Sequence, residues 1–115
     1  MKYELIESAD RVSVFLKALA GRSRLLLLCH LWEGEKSVGE LARLTSSRDT
    51  AVSQQLALLR RQGMVKARRS GQTIFYSLSS DEVIRILDAL QDMFANGGVE
   101  VEAEVEVPAK RSAAA

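Results

Sequence analysis

Two helical patterns separated by a four-residue turn constrain this sequence more than any other feature. Ser37 is followed three residues later by Glu40, which is the signature of a capping box and predicts a short helix to about Leu44. The residues after it, TSSR, are typical of a turn, and the second helical pattern begins directly beyond them. A short helix, a tight turn and a second helix form the helix-turn-helix unit.

Both ends of the second helix carry terminal signals. Ser47 is a candidate N-cap, and Gly63 predicts that the helix ends just before it. Met64 follows this glycine, and we expect its side chain to pack back on Leu59, as at other glycine-terminated helix ends. These signals define the helix independently of its hydrophobic pattern.

The segment after this helix predicts a β-hairpin. Two short runs, MVKARR and TIFYSL, flank a glycine-containing turn, SGQ. In the second run Ile74, Tyr76 and Leu78 occupy alternate positions, so we expect one face of this strand to be buried. A hairpin directly after a helix-turn-helix unit is a wing, and we use that name for it below.

Further helices are predicted on both sides of this unit. We expect one from about Tyr3 to Ala20, an apolar one from Arg22 to Trp32, and a last one from about Asp81 to Ala95, capped by Ser79 or Ser80. The second of these is apolar nearly all round, which predicts that it is covered on several sides. The predicted fold class is mainly α with a small β-hairpin, a winged helix-turn-helix.

A length of 115 residues indicates one domain. We assign residues 1–97 to the winged helix-turn-helix and residues 98–115, where valine and glutamate alternate without bulky anchors, to a disordered tail. The alternative for the tail is an edge strand or a contact with the basic middle of the chain. The apolar run LLLLCHLW is too short to span a membrane, and a single cysteine excludes an intramolecular disulfide. We therefore expect a cytoplasmic protein.

The basic residues are concentrated in the middle of the chain. The formal net charge is only +1, yet seven lysines and arginines and a single acid, Asp49, lie between Arg43 and Gln72. Such a distribution suggests a surface that binds a polyanion. The alternative is a solvated charged face.

The outer face of the second helix is polar but carries few charges. At helical spacing Val52, Leu56 and Leu59 face the core, and the opposite side carries Thr50, Ser53, Gln54, Ala57 and Arg61. A glutamine can bond adenine through two hydrogen bonds, hydroxyls can meet bases or phosphates, and an alanine methyl can meet thymine. A solvated helix would more commonly carry Glu/Lys pairs there. We therefore predict that this helix enters the major groove of double-stranded DNA.

Basic side chains of the wing and around the helix are predicted to hold the phosphates or enter the minor groove. Arg43 is a further candidate for flanking phosphates. The predicted DNA-binding residues are Arg48, Thr50, Ser53, Gln54, Gln55, Arg60, Arg61, Lys66, Arg68, Arg69 and Gln72.

Two other classes of protein, an enzyme and a protein-interaction module, agree less well with the sequence than a DNA-binding protein does. An enzyme is disfavoured because no acid/base pair, nucleophile-base set or phosphate-binding glycine loop stands out, and Cys29 and His30 are adjacent on a helix and point apart. A winged-helix protein-interaction module is the closer rival. Such a module has no need for basic residues on the wing together with an amide-bearing helix face.

The stretches LLLLCHLWEGE, SVGELARL and TAVSQQLALLRRQGMVKARRSGQTIFYSL resemble the ArsR/SmtB family of bacterial winged-helix repressors, over roughly residues 18–90. The likeness is nearest to the nodulation-type and the redox-sensing members. It implies a homodimeric repressor that binds a near-palindromic operator, with the first and last helices forming the interface. Arg48 and Asp49 stand where many relatives have Ser-Gln, which bears on the base pairs contacted. The predicted interface residues are Leu5, Val12, Leu16, Val83, Leu87, Leu90 and Phe94.

The metal sites known in the family have no counterpart here. The stretch SVGELARLTSSRDT lacks cysteine, and the last helix has acids but no histidine. A lone His30 among distant carboxylates is a poor transition-metal site. We therefore predict neither a metal nor a cofactor, and the sequence does not indicate an inducer.

Cys29 resembles the first cysteine of the family's redox-sensing and persulfide-sensing subgroup. The second cysteine of that subgroup is missing from the matching stretch DMFAN, so this chain cannot form an intramolecular dithiol switch. We expect Cys29 to be a buried core thiol whose apolar surroundings raise its pKa. The alternative is a redox-responsive single thiol that is oxidised or bridges two subunits.

Overall fold

The structure, a computed structural model, describes residues 2–95, 97–98 and 100–102. Within these ranges six helices and one three-stranded antiparallel sheet form a winged helix-turn-helix, as predicted. In chain order the elements are α1 (Lys2–Glu7), α2 (Ala9–Ala20), α3 (Arg22–Trp32), β1 (Lys36–Ser37), α4 (Val38–Leu44), α5 (Asp49–Arg61), β2 (Val65–Ser70), β3 (Thr73–Leu78) and α6 (Asp81–Ala95).

The amino-terminal helix is interrupted, whereas the sequence predicted a continuous one. Ser8 separates α1 from α2 with a backbone φ of −97° and ψ of 8°. Serine favours helix ends over helix interiors, and the apolar residues of α1, Tyr3, Leu5 and Ile6, are exposed and pack on no core. The hydrophobic stripe therefore continues across the break at Ser8, and the spacing of the apolar residues alone does not predict this break.

The predicted capping box at the start of α4 is confirmed. The Glu40 amide donates to the Ser37 hydroxyl oxygen at 3.2 Å, and the Ser37 amide donates to the Glu40 carboxylate at 2.9 Å. At the other end of α4, Ser46 has a left-handed φ of 53°. The Ser46 and Ser47 amides donate to the carbonyls of Arg43 and Ala42, which completes a Schellman ending with serine at the position usually held by glycine.

The amino end of α5 differs from the sequence prediction, whereas its carboxyl end agrees with it. Ser47 is not its N-cap, because its hydroxyl donates to the Thr45 carbonyl and Arg48 occupies the cap position without a side-chain bond. The carboxyl end is as predicted, since Gly63 has a φ of 75° and the Met64 amide donates to the Leu59 carbonyl at 3.0 Å. Both Met64 and Leu59 belong to the buried core.

The sheet has the order β1-β3-β2, so the wing hairpin gains a third strand that the sequence analysis did not predict. Strand β1 has only two residues and pairs with β3 through Ser37 opposite Phe75. Because β3 is the central strand, residues 74–78 are all half-buried, and the predicted burial of one face alone is wrong. A two-residue turn with Gly71 at a φ of 64° joins β2 to β3.

The last helix is tied to the end of α5. The Ser80 hydroxyl accepts from the Val83 amide at 3.2 Å, which confirms Ser80 as the cap of α6. Ser79 donates from its amide to the Met64 carbonyl at 3.0 Å and from its hydroxyl to the Gly63 carbonyl at 3.1 Å. These bonds fix the start of α6 against the carboxyl end of α5.

The core lies between the end of α2, α3, α4, α5, the start of the wing and α6. Its buried members are Leu19, Leu27, Leu28, Leu31, Leu41, Ala42, Val52, Leu56, Leu59, Met64, Val65, Val83 and Leu87. None of the helices in the described ranges is long and apolar enough to cross a membrane. Of the predicted tail, residues 98 and 100–102 are described and have no helix or strand, and the prediction for 103–115 lies outside the described residues.

Candidate nucleic-acid interface

The outer face of α5 is exposed along its whole length. Val52, Leu56 and Leu59 pack into the core on the inner side. The exposed residues of the opposite side are Thr50, Ser53, Gln54, Ala57 and Arg61. Within the described part of the chain these polar side chains have no hydrogen bond or ion pair, so their donors and acceptors are open to a ligand.

Gln55 does not belong to this open face, although the sequence analysis grouped it with the DNA-binding residues. Its side chain is half-buried, and its Oε1 atom accepts from Arg24 Nη1 at 3.4 Å. Arg24 also donates to the Ala18 carbonyl at 2.8 Å and the Lys17 carbonyl at 3.1 Å. Gln55 therefore faces α3 and is held there by an arginine that also caps α2.

Basic and amide side chains surround the outer face of α5. Arg48 lies at its amino end and Arg60 and Arg61 in its last turn, and all three are exposed. On the wing Lys66, Arg69 and Gln72 are exposed as well. All six residues are therefore accessible from the solvent.

Arg68 is exposed too, but it is already paired. Its Nε and Nη2 atoms donate to the two carboxylate oxygens of Glu35 at 3.0 and 2.8 Å, and its guanidinium carbon lies 4.8 Å from the centre of the Phe75 ring. The hydrogen bonds from Arg68 hold the pKa of Glu35 below its usual range. Glu35 was not among the predicted site residues, since no local pattern connects residues so far apart in the chain.

The predicted dimer-interface residues fall into two groups. Val83 and Leu87 lie inside the core of the single chain, so in this structure they offer no surface to a second copy. The others are exposed or half-buried; these are Leu5, Val12, Leu16, Leu90 and Phe94. Further exposed apolar side chains on the same helices are Tyr3, Ile6, Val14, Ile84 and Met93.

An open apolar groove of about 760 Å³ runs between α2 and α6. It is lined by Val12, Phe15, Leu16 and Ile86, with Arg11, Glu82 and Arg85 also at its walls. Exposed apolar side chains beside such a groove are typical of a surface that is covered by another molecule.

Cys29 is exposed, and the prediction of a buried core thiol is wrong. The helix α3 that carries it buries Leu27, Leu28 and Leu31, but its opposite side lines an open groove of about 740 Å³ against α6. The pKa of the thiol is raised by partial removal from water and, secondly, by the nearby Glu33 carboxylate. Cys29 is thus accessible but disfavoured as a thiolate.

The described residues contain no group of three or more His, Cys, Asp or Glu side chains arranged to hold a metal ion. His30, the lone histidine of the chain, lies with Nδ1 3.7 Å from a carboxylate oxygen of Glu33. Its backbone carbonyl accepts from Lys36 Nζ at 2.9 Å, so this lysine caps the carboxyl end of α3.

Known proteins are similar to this chain in both sequence and fold. Residues 21–67 match the family model described as bacterial regulatory protein, arsR family. The nodulation protein NolR of Rhizobium meliloti is 43% identical over 108 residues, covering 94% of this chain and 86% of NolR. The transcriptional activator HlyU of Vibrio cholerae is 42% identical over 91 residues, covering 79% of this chain and 84% of HlyU.

Among solved structures, the transcriptional repressor BigR from Xylella fastidiosa superposes with a TM-score of 0.77 at 37% identity, over 82% of this chain and 96% of that one.

Proposed function

The chain belongs to the arsR family of bacterial regulatory proteins, and from this membership we propose that it is a repressor that binds a near-palindromic operator as a homodimer in the cytoplasm. It is a DNA-binding transcriptional regulator, and the family and the named relatives are regulators rather than enzymes. The observation that carries the proposal is the outer face of α5, where polar side chains stand exposed without partners within the described residues.

The chemistry of this face suits the major groove. Gln54 is exposed in the middle of α5 and can bond the N6 and N7 atoms of an adenine together. Thr50 and Ser53 lie toward the amino end, where a recognition helix contacts base edges. Arg48, Arg60, Lys66 and Arg69 around the face supply phosphate contacts, which fix the position of the helix without specifying sequence.

A second copy of the chain is the proposed partner of the apolar face formed by α1, α2 and α6. Three apolar side chains of this face are about half exposed or more: Leu5 at 60%, Leu16 at 49% and Phe94 at 50%. A two-fold axis through this face would present one α5 helix to each half of a palindromic site, about 34 Å apart along the duplex. BigR is named a repressor and HlyU an activator, so the direction of regulation requires its own measurement.

The test of DNA binding is selection from a random duplex pool, followed by fluorescence anisotropy on the selected sequence at a series of salt concentrations. We expect one motif with two related halves, a steep decrease of affinity with salt, and at least about 10³-fold weaker binding to unrelated duplexes. Equal, weak binding to all duplexes would favour the protein-interaction module instead. A reporter gene placed behind the selected sequence then distinguishes repression from activation.

The dimer is tested by comparing two substitutions of leucines that are equally exposed. Leu16→Glu places a carboxylate in the proposed interface, and Leu44→Glu places one on α4, where the leucine is equally exposed at 49%. We expect sedimentation to show a monomer for the first variant and a dimer for the second and the wild type, because a buried unpaired charge is costly. A dimer that survives Leu16→Glu would place the interface elsewhere.

The exposure of Cys29 supports a second candidate, a regulator whose DNA binding responds to oxidation of this thiol. The expected signature is loss of operator binding after peroxide or persulfide treatment in the wild type and no loss in Cys29→Ser. If both proteins bind the operator equally well after treatment, Cys29 has no such role.

A further inference from the structure

We infer that Glu35 and Arg68 form a brace across the wing that withholds Arg68 from DNA and leaves Arg69 as the DNA-contacting arginine of the pair. This inference rests on the proposed function and deepens it, because it assigns different roles to two adjacent arginines that the sequence does not distinguish.

The brace crosses the whole sheet. Arg68 on β2 pairs with Phe75 on β3, and Phe75 pairs in turn with Ser37 on β1. Glu35 directly precedes β1, so the Arg68 side chain runs from one edge strand, over the Phe75 ring, to the start of the other. This path ties the wing to the segment that connects α3 to β1.

The guanidinium already has the partners that a phosphate would offer. Two parallel hydrogen bonds of 2.8 and 3.0 Å from an arginine to one carboxylate form the bidentate arrangement that arginine also uses on phosphate. The Phe75 ring occupies one face of the guanidinium plane. With Glu35 ionised, the pair has no net charge to attract a polyanion.

Arg69 provides the contrast within the same strand. Side chains alternate along a strand, so Arg69 lies on the opposite face of β2 from Arg68. It is exposed, and it has no hydrogen bond or ion pair within the described residues. Its charge is therefore available to DNA.

The first test compares salt slopes on the selected operator. Arg69→Ala should lower the slope of log K against log salt by about 0.9 per subunit, the value for one lost phosphate contact. Arg68→Ala combined with Glu35→Gln removes the neutral pair as a whole and should leave the slope unchanged. Glu35→Gln alone should free Arg68 and raise the slope by a similar amount. Equal losses for Arg69→Ala and the double variant, or no effect of Glu35→Gln alone, would overturn the brace.

The second test needs no operator. On a heparin column Arg69→Ala should elute at lower salt than the wild type, the double variant Glu35→Gln with Arg68→Ala together with the wild type, and Glu35→Gln at higher salt, with thermal melting used to show that each variant is folded. If operator selection fails while this order is found, the proposed function falls and the brace stands. If selection succeeds while Arg69→Ala and the double variant elute together below the wild type, the brace falls and the proposed function stands.

Discussion

Arg24 connects to Gln55 across the interface between α3 and α5, with Arg24 Nη1 3.4 Å from Gln55 Oε1. The same guanidinium holds the last carbonyls of α2, at Lys17 and Ala18. A Cβ atom at Gly21 would lie 2.8 Å from the guanidinium carbon, so this glycine leaves the space that Arg24 occupies. One side chain thus joins a helix of the proposed dimer interface to the helix proposed to contact DNA.

Loss of this arginine is expected to destabilise the fold. Arg24→Ala removes two charge-assisted bonds to helix-end carbonyls and leaves those carbonyls without their partner, so the free energy of unfolding should fall by about 1.5–3 kcal/mol. Urea denaturation followed by circular dichroism measures the change. Arg24→Lys keeps the positive charge but loses the planar guanidinium, so its free energy of unfolding should lie between those of the wild type and Arg24→Ala. An unchanged urea midpoint for Arg24→Ala would show that the bonds contribute nothing net.

Two adjacent glutamines provide a matched pair on α5. Gln54 is exposed on the outer face, and Gln55 is half-buried against Arg24. Gln54→Ala should weaken operator binding by about 1–3 kcal/mol and reduce discrimination between sequences without changing stability. Gln55→Ala should instead lower stability and leave base preference intact. Anisotropy on single-base operator variants and urea denaturation measure the two effects, and identical profiles would contradict the assignment.

The left-handed serine that ends α4 is expected to be replaceable with a gain in stability. Ser46 has a φ of 53°, where a side chain costs about 1 kcal/mol and glycine has no such cost. Ser46→Gly should therefore raise the free energy of unfolding by up to about 1 kcal/mol. Ser47→Gly is the control, because Ser47 has no positive φ, and it should not be stabilising. A destabilised Ser46→Gly protein would indicate that the serine side chain has a further role.

Cys29 is expected to react slowly despite its exposure. Partial desolvation and the Glu33 carboxylate raise its pKa, so the thiolate fraction at neutral pH is smaller than for a free cysteine. The rate of alkylation against pH should have its midpoint above that of the denatured protein. Glu33→Gln should move the midpoint down. The pKa of Cys29 is higher in the folded protein than in the unfolded chain. The protonated thiol therefore contributes to the free energy of unfolding below the pKa of the unfolded chain, and this contribution is lost as pH rises through the pKa of the folded protein. A midpoint at or below the denatured value would contradict this.

The ion pair between Glu35 and Arg68 has the opposite pH dependence. The folded pKa of Glu35 is lowered, so its contribution is fully present above the unfolded pKa and is lost as pH falls through the folded one. The difference in melting temperature between the wild type and Glu35→Gln should therefore be present at neutral pH and disappear in acid. Because the pair is exposed, the difference should be small and reduced by salt. A difference that persists at low pH would have another cause.

Features determined by residues close in the chain could be predicted from the sequence. Ser37 and Glu40 are three residues apart, and Gly63 acts through the turn beside it, so both helix ends were predicted correctly. The outer face of α5 follows from helical spacing alone, and its exposure agrees with the prediction.

Features determined by tertiary packing could not be predicted in the same way. The exposure of Cys29 depends on how far α6 covers α3, and strand β1 consists of two residues with no pattern of their own. Arg68 and Glu35 are separated by 33 residues, and only the register of the sheet brings them together. Gln55 likewise differs from Gln54 in its environment, because Arg24 on another helix donates to the Gln55 side chain.

The two bonds that Ser79 makes to the Gly63 and Met64 carbonyls bear on how a dimer of this protein would be regulated. They join the segment just before α6 to the segment just after α5, so we expect a shift of one helix to be passed to the other. In a symmetric dimer the span between the two α5 helices would then depend on the angle at which the two α6 helices cross. A change in that angle would alter how well the two α5 helices match the two halves of an operator.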